Sequence, residues 1–296
     1  MKYVFNVLLA FVVIWIIWSV IDHDKKDTSP ELTHIGAEDT FDGTRRIETC
    51  RNKFSKPIAV EFYNDEMFVS NIVSSSKGSD SSGFVCRTNL YGDVVGALDT
   101  PELTSPKGMA EKNGVLYIAD IDRLIEYDID LDSTMRIIKI KGAKSLCDVE
   151  ADRLGNVYIS DTQNGCIYKL KGDTAVLFTR DTLCQGIMGL CSYDHYLYAG
   201  ADDRIIRIDE YGHVRTLAHT TYPVYGIRAD GDGNFITTDF DGTIYATNLY
   251  KTQTIISKRN GMNAAMIGYM PEQRRLVVPT YNDNSVELYE IGKYLQ

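Results

Sequence analysis

A five-residue motif recurs six times along the chain, at intervals close to 40 residues. Its clearest copy occupies residues 116–120, where four apolar residues lead into an aspartate. The second residues of the six copies are Phe68, Tyr117, Tyr158, Tyr198, Ile236 and Val277, spaced 49, 41, 40, 38 and 41 residues apart. A period near 40 with several short strands per unit is typical of β-propeller blades. The repeat therefore restricts the chain to a small set of architectures.

Each repeat contains four predicted strands, which in the second repeat cover residues 108–110, 115–119, 124–127 and 135–140. The segments between them contain turn residues but no amphipathic helix of useful length, which excludes helical solenoids and α/β folds. Residues 115–119 have no polar face, so the sheet must be covered on both sides, as it is in a closed ring of blades. We therefore predict an all-β fold, a six-bladed β-propeller with four-stranded blades, over residues 44–296.

The last repeat ends after its third strand, at residues 286–291. Its missing outer strand must then come from the chain before the first repeat, and residues 45–50 are the candidate. The first repeat is longer than the others because of a Ser- and Gly-rich insertion at residues 74–83, which we interpret as a solvated loop. These assignments predict a ring that is closed by both ends of the propeller.

The first 21 residues form a separate segment. Residues 3–21 carry no charged side chain, and Trp15 and Trp18 stand where interfacial aromatic residues are expected. At about 1.5 Å per residue, a helix of this length comes close to spanning a hydrocarbon core of about 30 Å. We predict an N-terminal transmembrane helix as an uncleaved anchor over residues 1–21 and a linker over residues 22–43, with the propeller outside the cytoplasm. The alternative is a cleaved signal peptide and a secreted protein.

The charge and the cysteines limit the possible partners and cofactors. The chain has 41 acidic and 31 basic residues, a net charge of -10, and no long basic run. This balance argues against nucleic-acid binding and favours a monomer. The six cysteines form no Cys-x-x-Cys pair, and we interpret them as buried thiols; if one bridge exists, Cys184 and Cys191 are the expected pair.

Several repeat segments resemble one known family. They are residues 57–60, 105–109 with 116–122, 147–149, 155–161, 225–227 with 232–234, and 278–284. With this register the chain resembles the six-bladed propellers of the senescence-marker-protein (regucalcin), gluconolactonase and luciferin-regenerating-enzyme family over residues 57–291. The resemblance implies lactone hydrolysis with one divalent cation in the central channel. Its ligands would be a Glu in the first blade, Asn residues in the third and fourth, and an Asp in the fifth.

The chain departs from that pattern at every one of these ligand positions, which hold Ile58, Cys147, Met188 and Tyr225. No cofactor is therefore favoured. Glu61 and Asp148 lie nearby and are the candidate ligands if a rearranged site holds calcium, manganese or zinc. Since side chains in a strand alternate between faces, Glu61 would need a bulge to reach the channel next to Ile58.

The residues expected to face the channel are Ile58, Lys107, Cys147, Asp148, Met188 and Tyr225. Lys107 could bind an anionic ligand there, or it could pair with Asp148. The recurring Asp120, Asp161 and Asp239 are interpreted as turn caps rather than catalysts. Two functions remain open. The first is a non-catalytic module that binds a small molecule or a protein at one propeller face, and the alternative is a lactonase-like hydrolase with a rearranged metal site.

Overall fold

The computed structural model describes residues 44–51, 53–73, 82–258 and 263–295. The predicted anchor, the linker and most of the Ser- and Gly-rich insertion lie outside these residues. Within them, no helix is both long and apolar enough to cross a membrane. The one helix described is a short 3-10 helix, Thr182–Cys184.

Twenty-four strands form six four-stranded antiparallel sheets, and consecutive strands pair within each sheet. The first three blades contain β2 (Pro57–Tyr63), β3 (Glu66–Val73), β4 (Ser82–Asn89) and β5 (Val94–Ala97); β6 (Pro106–Lys112), β7 (Val115–Asp120), β8 (Arg123–Asp128) and β9 (Ser133–Lys139); and β10 (Leu146–Ala151), β11 (Val157–Asp161), β12 (Cys166–Lys171) and β13 (Thr174–Arg180). The predicted all-β, six-bladed architecture is confirmed.

The other three blades follow the same order. They contain β14 (Ile187–Tyr193), β15 (Tyr196–Ala201), β16 (Arg204–Ile208) and β17 (Val214–His219); β18 (Gly226–Ala229), β19 (Phe235–Thr238), β20 (Ile244–Thr247) and β21 (Thr252–Ile256); and β22 (Gly268–Met270), β23 (Arg275–Thr280) and β24 (Ser285–Glu290). The first strand of each blade is its inner strand, and these six strands surround the channel.

The sixth blade takes its outer strand from the other end of the propeller, as predicted. β1 (Arg45–Arg51) pairs antiparallel with β24, with Arg45 opposite Glu290 and Arg51 opposite Ser285. The Arg45 guanidinium also donates to the Glu290 carboxylate over 2.8 Å. The ring is therefore closed by backbone pairing between the beginning and the end of the propeller.

Side-chain hydroxyls join neighbouring blades at three of the six junctions. Ser160 Oγ accepts from Asp148 N of its own inner strand over 2.9 Å and donates to Met188 O of the next inner strand over 2.7 Å. Ser70 Oγ makes the same two bonds, accepting from Ala59 N and donating to Lys107 O. Thr238 Oγ1 likewise accepts from Gly226 N and donates to Ala265 O. We call the junctions between blades 1 and 2, 3 and 4, and 5 and 6 the hydroxyl junctions.

The other three, the direct junctions, bring backbone against backbone. Ala119, Gly200 and Pro279 occupy the position of the bridging hydroxyl in blades 2, 4 and 6. Between blades 4 and 5, Gly189 N donates to Tyr225 O over 3.0 Å, and between blades 6 and 1, Met266 N donates to Ile58 O over 2.8 Å. Between blades 2 and 3 the approach is so close that a Cβ on Gly108 would lie 2.5 Å from Asp148 Cα.

The recurring acidic corners cap turns, as predicted. Asp120 accepts from the backbone N–H groups of Thr104 and Ser105, and Asp161 from those of Lys144 and Ser145. Asp239 accepts from Thr243 N over 2.8 Å. All six cysteines are free and buried, so the predicted buried thiols are confirmed, and Cys184 and Cys191 form no bridge.

Candidate functional site

Four of the predicted channel residues lie in or against one apolar cluster. Ile58 and Cys147 are buried in a single apolar cluster, and Met188 and Tyr225 pack against it while remaining half-buried. Each comes from the beginning of a different inner strand or from the residue just before it. The inner strands begin at the same edge of the ring, and we call this group of residues the channel mouth.

Further residues, which were not predicted from the sequence, complete the mouth. Met266 belongs to the same buried cluster and Tyr281 packs against it. The Phe240 ring lies 5.0 Å from that of Tyr225 and 5.7 Å from that of Tyr281. Phe240 and Tyr281 directly follow the corner position of their repeats, as do Ile72 and Thr162. That position was the signal that could have identified them.

Two lysines add positive charge to the mouth. Lys56 Nζ lies 5.4 Å from the centre of the Tyr281 ring. Lys107 Nζ donates to Ser145 Oγ over 3.3 Å, rather than pairing with Asp148. Burial raises the pKa of the Cys147 thiol, an effect that the nearby Lys107 ammonium opposes.

Within the described residues, the buried Asn263 Oδ1 has no hydrogen-bond partner, whereas its Nδ2 donates to Phe240 O.

Asp148 belongs to a second group of residues, further along the inner strands. Its side chain is fully buried and accepts from Val149 N over 2.9 Å and from Leu190 N over 2.8 Å. Arg228 Nη1 lies 3.8 Å from Asp148 Oδ2 and donates to Leu190 O. Glu150 accepts from Ser192 N over 2.9 Å. Asp148 thus links two inner strands and an arginine. We call Glu61, Asp148, Glu150 and Arg228 the charged belt.

Burial perturbs the titration of the belt. It raises the pKa of Glu61 to about 7 and that of Glu150 to about 8, and Arg228 only partly opposes this. Burial lowers the pKa of Arg228, but Asp148, Glu150 and Glu61 outweigh it and leave that pKa raised. The register shift between Pro57 and Ala59 is a bulge of the kind that Glu61 would need in order to face the channel. Near neutral pH, Glu61 and Glu150 therefore hold a proton more readily than ordinary carboxyl groups do.

The belt does not provide a convincing metal centre. Within the part of the chain that the structure describes, no three His, Cys, Asp or Glu side chains lie where they could hold an ion together. Of the two candidate ligands, Glu61 and Asp148, the Asp148 carboxylate already accepts two backbone hydrogen bonds. Calcium, manganese and zinc each need several converging donors. Within the described residues, the carboxylates of the belt do not by themselves supply the several donors that such an ion needs.

Comparison with known proteins supports the fold. No family model matches the chain, and no curated protein matches it either. A streptogramin B lyase structure superposes with a TM-score of 0.61 at 12% identity, covering 86% of this chain and 100% of that one. A catalytically inactive virginiamycin B lyase from Staphylococcus aureus with quinupristin gives 0.61 at 14% identity, covering 83% and 98%. The WD40 propeller domain of Doa1 gives 0.61 at 12% identity, covering 84% and 97%.

Proposed function

We propose that the protein is a binding module whose channel mouth takes an anionic ligand with a flexible apolar body. The observation that carries this proposal is the apolar cluster that contains Ile58 and Cys147, with Met188 and Tyr225 packed against it and the Lys107 ammonium near Cys147. Methionine side chains adapt their shape to apolar ligands, and a partly desolvated lysine favours an anion. Two of the structural neighbours are WD40 domains, and their names describe no reaction.

The test uses octanoate as the probe and a fragment that begins at residue 30, which omits the apolar N-terminal segment. Calorimetry should detect octanoate binding, and Lys107→Met should weaken it by about tenfold through loss of the charge contact. Octanol, which has the same chain without the charge, should bind both proteins equally. Lys141→Met, an exposed lysine on a turn, is the matched control. Equal octanoate affinity in Lys107→Met and in the unaltered fragment would contradict the proposal.

We further propose that residues 1–21 anchor the propeller to a membrane with the propeller outside the cytoplasm. The uncharged run at residues 3–21 and its two tryptophans support this. Alkaline extraction should leave the full chain in the membrane fraction and release a chain that lacks residues 1–21. A protease added to intact cells with a permeable outer layer should degrade the propeller. Release of the full chain by alkali would favour the cleaved, secreted alternative.

A lactonase-like hydrolase with a rearranged metal site is the second candidate. One observation favours it, since burial raises the pKa of Glu61 to about 7, in the range that suits a general base. Metal analysis of the fragment, together with assays on γ- and δ-lactones, separates the two candidates. One bound equivalent of a divalent cation, with turnover lost on chelation, would replace the binding module as the first choice.

A further inference from the structure

A cleft lies between blades 3 and 4, at the end of the ring opposite the channel mouth. Its volume is ≈ 500 Å³, and its rim includes the turn after β10 and the turn after β14. Cys147 and Met188 stand near the beginning of these two strands, whereas Arg153 and His195 follow their ends. With a rise of about 3.3 Å per residue, the two sites are roughly 15–20 Å apart. The cleft is therefore separate from the mouth.

Aromatic rings form the sides of the cleft. On blade 3, the Tyr158 and Phe178 rings lie 5.0 Å apart, centre to centre. On blade 4, Tyr196 and Tyr211 line the opposite side, and Tyr211 is 76% exposed. Aromatic rings from both blades in the lining of one cleft favour a flat aromatic guest, because stacked or edge-to-face rings attract each other beyond the area they bury.

Four acidic residues line the cleft, and the protein engages the three aspartates among them, with Asp194 Oδ1 lying 3.4 Å from His195 Nε2. Asp152 accepts from Leu154 N and Asn156 N, each over 2.9 Å, and from Asn156 Nδ2 over 2.6 Å. Asp209 accepts from Tyr211 N and His213 N, and its second oxygen lies 2.9 Å from His213 Nδ1. The Asp152 and Asp209 carboxylates hold their own turns together, whereas the fourth acidic residue, Glu210, is exposed. The aspartates are therefore poorly placed to attract a cationic guest.

Two cations in the cleft are available instead. Lys169 Nζ lies 5.1 Å from the centre of the Tyr158 ring and 5.7 Å from that of Phe178. Arg153 Nη2 lies 2.5 Å from His195 Nδ1. Across the described ranges, neither cation has a carboxylate at ion-pair distance, although the protein carries a net charge of -10. Two cations without acidic partners beside aromatic rings favour an anion.

We propose that this cleft is a second binding site, for a planar aromatic compound that carries a phosphate or carboxylate group. The ring enters between Tyr158 and Tyr196, and the anionic group meets Lys169 and Arg153. The volume suits a ligand of mononucleotide size. This site differs from the mouth in its residues, its face of the ring and the shape of its ligand, so it stands independently of the proposed function.

The experiment uses the full-length chain and saturation-transfer NMR with two probes, adenosine monophosphate and indole-3-acetate. Adenosine supplies a ring without a charge, and ribose phosphate supplies a charge without the ring. We expect at least one probe to bind about tenfold more tightly than either half, and its binding to weaken in high salt. Preference for adenosine monophosphate would identify a phosphate ligand, and preference for indole-3-acetate a carboxylate ligand.

Substitutions of cleft residues test whether the preferred probe binds in the cleft. Lys169→Met keeps an apolar stem over the rings and should weaken the preferred probe by about tenfold. Lys171→Met is the matched control, since this exposed lysine on the same strand does not line the cleft. Arg153→Gln, on an exposed turn, should weaken the same probe if Lys169→Met proves unstable. Lys107→Met should leave it unchanged, which separates this site from the mouth.

Three results would overturn the proposal. The first is no binding of either probe up to about 10 mM. The second is binding of adenosine or ribose phosphate as tight as that of the complete compound. The third is unchanged affinity in both Lys169→Met and Arg153→Gln.

Discussion

The hydroxyl junctions and the direct junctions solve the same problem in two ways. Each inner strand meets the next blade with backbone groups that need partners, because unpaired buried N–H and C=O groups are costly. At a hydroxyl junction one oxygen, such as Ser160 Oγ, serves a donor and an acceptor on two blades. At a direct junction the backbones approach closely, as at Gly189 and Tyr225. The two kinds alternate around the ring.

This alternation predicts that the two kinds of junction fail for different reasons. A direct junction depends on the absence of a side chain, so an added atom should break it. A hydroxyl junction depends on the presence of one oxygen, so its removal should leave two groups unpaired. The following experiments test this difference in order of expected effect.

The largest effect is expected for Gly108→Ala at the direct junction between blades 2 and 3. The new Cβ would lie 2.0 Å from Asp148 Oδ1 and 2.5 Å from Asp148 Cα, so the two blades would have to separate. We expect the free energy of unfolding to fall by about 3 kcal/mol or more in urea denaturation. Gly96→Ala is the control, because nothing lies within 4 Å of its added Cβ. Similar stabilities of the two variants would contradict the close approach.

The next effect is expected for Ser160→Ala at the hydroxyl junction between blades 3 and 4. The change leaves Asp148 N and Met188 O without the partner they share. Unfolding free energy measured in urea should fall by about 2 kcal/mol. Ser133→Ala, at an exposed position on β9, should change it little. If Ser160→Ala matches that control, the hydroxyl does not join the blades.

A smaller effect is expected for Glu150→Gln at the same junction, and only as a change in pH dependence. Burial raises the pKa of Glu150 from 4.5 to about 8 in the folded protein. The folded state therefore holds a proton that the unfolded chain releases above about pH 4.5, and stability falls as the pH rises towards 8. Glutamine removes this part of the fall.

Because Glu150 is only half-buried, we expect its part of the fall to be about 1–2 kcal/mol between pH 5 and pH 8. Urea denaturation across that range measures it. Glu61 remains in the variant and should leave a weaker slope of the same sign, since its pKa is also raised. Glu210→Gln, on an exposed turn, is the control. Identical slopes in Glu150→Gln and the unaltered protein would show that Glu150 is solvated.

The smallest effect is expected for Ala119→Ser, which places a hydroxyl at a direct junction. Gly108 N and Cys147 O stand at the sequence positions equivalent to the partners of Ser160. The new oxygen should therefore find both groups, and the unfolding free energy should change by less than about 1 kcal/mol. A loss of about 2 kcal/mol or more would show that the two kinds of junction differ in backbone geometry as well as in side chain.

The repeat made the fold predictable, because its period and its missing last strand are properties of the sequence alone. Counting six copies of the motif gave the number of blades, and the short last repeat identified β1 as the closing strand. The alternation of Ser70, Ser160 and Thr238 with Ala119, Gly200 and Pro279 is equally visible in the sequence. The structural role of this alternation was not visible in the sequence, since the carbonyls that accept from these hydroxyls belong to the next repeat.

The site was less predictable, because inner strands do not alternate regularly. Register shifts between Pro106 and Met109, between Leu146 and Val149, and between Ile187 and Leu190 change which side chains point towards a neighbouring blade. Simple alternation along a strand therefore missed Arg228 and Glu150 as partners of the channel wall. The cleft between blades 3 and 4 was missed because its residues come from separate turns and strands.

The pairing of β1 with β24 determines when the molecule can be completed. The two strands lie 245 residues apart where Arg45 meets Glu290, so the first strand to be synthesised must wait for the last. At about 5–20 residues per second, this delay is roughly 10–50 s on the ribosome. During that time the sixth blade cannot form and the ring stays open. A chain that stops short of β24 leaves β1 and β23 without the strand that each of them pairs with.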